Sequence, residues 1–108
     1  MNAYAGTSPA AGHDAANTFR IPELVCPAGS LAALKAAVDH GADCVYIGFR
    51  DATNARNFAG LNFDDASVMQ GIRYAHARGK KVLIALNTFP QPGHHLPWYQ
   101  AIDKAAGM

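Results

Sequence analysis

A chain of 108 residues, 50% apolar and 16% charged, has the composition of one globular domain and too few residues for two. Its formal net charge of +1 gives no bulk electrostatic reason to expect a nucleic-acid or membrane-surface partner. The longest apolar run, VLIAL at 82–86, falls far short of the roughly 20 residues that cross a bilayer.

The first 22 residues are rich in Ala, Gly, Ser, Asn and Pro. They lack the charged start and apolar stretch of a secretory signal. Residues 1–22 are therefore read as a disordered extension, because such a segment buries too little surface to offset its ordering entropy. A soluble, cytoplasmic protein is the default expectation.

From Glu23 the chain alternates regularly. ELVCPA (23–28) is a short apolar run ended by Pro27 and Gly29, which predicts a buried strand. Ser30 is placed to cap a helix over LAALKAAVDH (31–40), where Leu31, Leu34 and Val38 recur at helical spacing. Gly41 closes it, since Gly takes the left-handed cap conformation without steric cost. CVYIGF (44–49), rich in β-branched and aromatic residues, predicts the second strand. Asp64 or Asp65 can cap a second helix running to about Arg78, with Val68, Ile72 and Ala75 on one face and Gly79 as its stop. KVLIALN (81–87) predicts a third strand, and LPWYQAIDKAA (96–106) a third helix with Pro97 in its first turn. Gly107 follows that helix as Gly41 and Gly79 follow the first two.

Continuous apolar strands separated by helices argue for a parallel sheet covered by helices. The predicted fold class is α/β, a parallel βα repeat supplying about three units of an incomplete TIM-like barrel, since a full barrel needs roughly 250 residues. Residues 23–108 then form the N-terminal part of a barrel domain within a larger protein. A small flavodoxin-like domain is the rival. Either way the strand-to-helix loops share the edge where such folds place their sites.

The loop between the second strand and second helix is long and chemically rich. NARNFAGLNF (54–63) carries Asn54, Arg56 and Asn57 beside Phe58 and Phe63. The Arg56 fork suits a carboxylate or phosphate, with flanking amides as donors and acceptors. Alternatively Arg56 pairs with Asp51 or Asp64 and staples the loop, and at least one phenylalanine anchors it to the sheet. Asn87 and Thr88, after VLIAL, belong to the same edge, either as ligand contacts or as partners for loop backbone. The candidate substrate-binding set is thus Asn54, Arg56, Asn57, Asn87 and Thr88.

Other residues carry less. Glu23 begins the first strand and is placed at the opposite, stability-determining end. His94 and His95 are adjacent and lack nearby Cys, Asp or Glu to complete a zinc set, so no metal ligands are assigned. Cys26 and Cys44 are read as reduced packing residues near opposite ends of neighbouring strands. No GxSxG, HExxH, Walker A or GxGxxG motif is present, and no catalytic nucleophile and base can be nominated.

The stretches ELVCPAGSLAALKAAVDHGADCVYIGFRDATNARNFAGLNF and KKVLIALNTFP resemble the start of the U32 family of collagenase-like peptidases. TNARNFAGLNF resembles its UbiU-type branch, which acts in oxygen-independent ubiquinone biosynthesis. The resemblance covers about residues 23–105. It implies a full-length protein with a four-iron four-sulfur cluster, a UbiV-like partner subunit and a small-molecule quinone precursor as substrate. The cluster ligands lie beyond these residues, and neither Cys26 nor Cys44 matches them. A collagenase-like peptidase fragment and a non-enzymatic docking module are the alternatives the family leaves open.

Overall fold

A computed structural model describes residues 20–108, so most of the extension predicted at 1–22 lies outside the described residues. Three parallel strands, β1 (Val25–Pro27), β2 (Cys44–Ile47) and β3 (Lys81–Ile84), alternate with helices α1 (Leu31–Asp39), α2 (Asp65–Ala77) and α3 (Leu96–Ala106). Their order in the sheet is β1-β2-β3, with Cys26 opposite Val45 and Val45 opposite Val82.

Local chemistry sets the boundaries. Ser30 is extended, and its hydroxyl accepts from Ala33 N at 3.1 Å, occupying one of the donors a helix start leaves open. Asp64 accepts from Ser67 N at 2.8 Å, while Asp64 N donates to Ser67 Oγ at 3.0 Å; this reciprocal pair fixes the start of α2. Gly41 and Gly79 end their helices at φ 107° and 72°, where a Cβ would be strained. Gly107 differs: its φ is −86°, so α3 ends without a left-handed residue.

All three helices cover one face of the sheet. Leu34 and Val38 of α1, Val68 and Ala75 of α2, and Ala101 of α3 share one core with Val45, Ile47, Phe49 and Phe63. Each large apolar side chain fully buried there contributes about 1.5–3 kcal/mol. The other face is buried at Cys44 but open beyond it: Val25, Tyr46 and Leu83 are 48%, 40% and 55% exposed. Strands in sequence order, with helices on one side, contain no reversal point. A flavodoxin-like sheet requires one, in a 2-1-3 order, so the rival arrangement is absent here.

Two cysteines sit differently from expectation. Cys26 opposes Val45 and Cys44 opposes Val25, one register step apart, because pairing involves only three residues of β1 and leaves no distant strand end. Alternation sends them to opposite faces. Both thiols are free, and burial pushes the Cys44 thiol above its ordinary range.

Candidate functional site

At the carboxyl edge of the sheet lies a cleft of roughly 350 Å³. Its floor is Pro27–Gly29 at and just past the end of β1, Tyr46–Gly48 at and just past the end of β2, and Ala85 and Asn87 after β3; its wall is the loop of residues 54–62. Glu23 is at the other edge, paired with Lys81 at 3.3 Å.

The loop is anchored at its base. Phe63 pairs with Phe49 in a parallel bridge, Phe63 N donating to Gly48 O at 3.1 Å and Arg50 N to Phe63 O at 2.9 Å. Phe63 is buried in the core, whereas Phe58 is 59% exposed at the cleft; Phe63 is the anchoring ring. Arg50 is the stapling cation, its guanidinium donating to Leu61 O at 3.3 Å and Asn62 O at 3.1 Å. Sequence reasoning missed Arg50 because its partners are carbonyls 11 and 12 residues away, a pairing that no charge pattern advertises.

Asn54 lines the cleft but is nearly fully buried, and both halves of its amide are engaged. Nδ2 donates to Phe49 O at 3.2 Å and Oδ1 accepts from Arg56 N at 3.0 Å. Asn62 adopts φ 75°, tolerable for Asn; its backbone N–H donates to Gly29 O at 2.7 Å and its Nδ2 to Arg56 O at 2.6 Å. Those bonds hold the backbone of Arg56 while its side chain lines the cleft. No ion pair or hydrogen bond engages the Arg56 guanidinium among the described residues. The expected alternative, a pair with Asp51 or Asp64, is not formed: Asp51 Oδ1 instead accepts from Thr53 N at 2.9 Å, and Asp64 caps α2.

The remaining candidates divide. Asn87 lines the cleft; its Oδ1 accepts from Ala55 N at 2.7 Å, and its Nδ2 makes no hydrogen bond among the described residues. Thr88 does not line the cleft, and its hydroxyl bonds Ala52 O and the Trp98 indole. Asn57 is exposed and also outside the cleft. The structure thus brings Asn54, Arg56 and Asn87 together, joined by Tyr46, Phe58 and Leu61 as apolar walls. Tyr46 was hidden in the sequence by its place inside an apolar strand.

Chemically, the cleft offers one charged fork, free amide capacity and exposed aromatic surface, which suits a planar ring bearing an anionic or carbonyl group. No group of three or more His, Cys, Asp or Glu among the described residues is arranged to hold a metal ion. A four-iron four-sulfur cluster is held by four cysteines; the two here face opposite sides of the sheet, so these residues do not fit that group. Among the described residues no helix is long and apolar enough to cross a membrane.

Residues 29–108 match the sequence model of peptidase family U32. The chain is 43% identical over 86 residues to tRNA hydroxylation protein P of Helicobacter pylori, covering 80% of this chain and 20% of that protein. It is 42% identical over 66 residues to an uncharacterized protease of Methanocaldococcus jannaschii, covering 61% and 16%. Against tRNA hydroxylation protein P of Escherichia coli it is 40% identical over 70 residues, covering 64% and 15%. The chain thus spans about a fifth or less of the length of these relatives. No solved structure matches it.

Proposed function

The chain belongs to peptidase family U32, and from that membership we propose that its protein takes part in hydroxylation of a planar ring, held at the sheet's carboxyl edge. The observation that carries this reading is Arg56, which lines the cleft and whose guanidinium has no ion pair or hydrogen bond among the described residues. The three βα units are part of a TIM-like barrel, in which that edge is the catalytic end. Support for closure comes from the open part of the face carrying Val25, Tyr46 and Leu83, an apolar surface that a barrel interior would bury.

The substrate is a quinone precursor, as the loop TNARNFAGLNF suggests by its likeness to the ubiquinone branch. On that reading the four-iron four-sulfur cluster and a UbiV-like partner belong to the full-length assembly. A second reading, a tRNA base, is favoured by the names of the Helicobacter and Escherichia relatives. A peptidase role has less support: Ser30 and Ser67 are committed to helix starts and Cys44 is buried.

The test is Arg56→Ala in the full-length protein, with ubiquinone and hydroxylated tRNA nucleosides measured by mass spectrometry after anaerobic growth. Loss of a charged hydrogen bond is expected to lower one product about tenfold, and the product that falls names the substrate. Unchanged levels of both, at normal protein abundance, overturn the proposal.

A further inference from the structure

The wall of the cleft is held from outside by a chain of bonds that begins on α3. Trp98 Nε1 donates to Thr88 Oγ1 at 3.0 Å, and Thr88 Oγ1 donates to Ala52 O at 2.7 Å. Direction is fixed here: an indole N–H only donates, so the hydroxyl accepts from it and spends its single proton on the carbonyl. Beside this relay, Asn87 N donates to Thr53 O at 3.0 Å and Asn87 Oδ1 accepts from Ala55 N at 2.7 Å. Residues 52–55, the rising limb of the loop, are therefore gripped at three points, Ala52 O, Thr53 O and Ala55 N, by two consecutive residues of the next loop. The falling limb is held separately by Arg50 at Leu61 and Asn62. Between the two grips stand Arg56 and Phe58, the exposed groups of the cleft wall.

We infer that Trp98 and Thr88 are positioning residues: the indole-to-hydroxyl-to-carbonyl relay sets the height of the 52–55 limb and thereby the place of Arg56 over the cleft. Neither Trp98 nor Thr88 is part of the cleft lining, so both act on a ligand bound there only through the loop. Position is transmitted through backbone. Asn54 Oδ1 accepts from Arg56 N at 3.0 Å, which ties the guanidinium's origin to the gripped limb. This assignment rests on the reading of the cleft as the substrate site.

Hydrogen exchange of the full-length protein tests it, read on peptides covering 52–63. Trp98→Phe keeps an aromatic ring, smaller than the indole, and removes the donor; Thr88→Val removes both bonds, and Thr88→Ser restores them. Loss of one hydrogen bond is expected to raise exchange in 52–63 about tenfold in Trp98→Phe and Thr88→Val. Thr88→Ser should match the parent protein, and peptides from α2 should be unaffected in every variant. Unaltered exchange at 52–63 in both Trp98→Phe and Thr88→Val overturns the relay, as does a rise spread equally through α2. The two proposals fail separately. A loosened loop with Arg56→Ala still active removes the substrate site and leaves the relay; an intact loop in both relay variants with Arg56→Ala inactive does the reverse.

Discussion

Gly48 lies so close to Asn54 that a Cβ on the glycine would stand 2.3 Å from Asn54 Nδ2 and 2.7 Å from its Cγ. The residue that follows β2 and the amide that organises the loop are thus fitted to one another. No side chain can be added without moving one of them. Asn54 has little room to yield, being buried and bonded at both ends of its amide.

Gly48→Ala is expected to destabilise the protein by about 1–3 kcal/mol, the usual cost of overpacking a closed site. The clash also predicts coupling. In Gly48→Ala/Asn54→Ala the added methyl occupies space the amide has left, so the double variant should cost less than the sum of the singles by at least about 0.5 kcal/mol. Denaturant titration of the four proteins measures this directly, and strict additivity would show that the contact is not the constraint proposed.

Much of the fold was legible because several independent signals agreed at each boundary. Ser30 and Asp64 cap, Gly41 and Gly79 stop, and Pro97 starts a helix, each within a matching apolar period. Gly107 also ends its helix where its position predicts, but at an ordinary right-handed φ, so the left-handed stop is not the device used there. The loop was legible as a place and not as a network. Arg56 and Arg50 are six residues apart and chemically identical, yet the first lines the cleft and the second grips Leu61 and Asn62 carbonyls. The path of the backbone decides which is which, and that path follows from long-range bonds such as Asn62 N to Gly29 O. Thr88 illustrates the same limit, since its acceptor and donor lie 36 and 10 residues away.

The two arginines therefore differ in a measurable way. Arg50→Ala removes two bonds to loop carbonyls and is expected to cost about 1 kcal/mol, reduced from the full value of a charged hydrogen bond by exposure to solvent. Arg56→Ala removes no internal bond and should change stability by less than about 0.5 kcal/mol. Melting curves of both variants decide the matter. Equal losses would mean that Arg56 also staples the loop, and the case for a substrate contact would weaken accordingly.

The start of α2 supplies a pH dependence of known sign. Asp64 accepts from Ser67 N, and that bond, reinforced by the Ser67 hydroxyl and the nearby Arg50 charge, holds its carboxyl below the ordinary value of 3.8. A carboxylate whose folded pKa is depressed adds stability above the unfolded pKa, and this is lost as pH falls through the folded one. Asp64→Asn keeps an oxygen acceptor for the cap but cannot titrate. The parent protein should thus lose stability relative to Asp64→Asn as pH drops below about 4, with the two curves running parallel near neutrality. Thermal midpoints taken from pH 7 downward test this. Curves that stay parallel through the acid range would mean that Ser67 does not distinguish the charged carboxylate from a neutral amide, and the cap would then act through geometry alone.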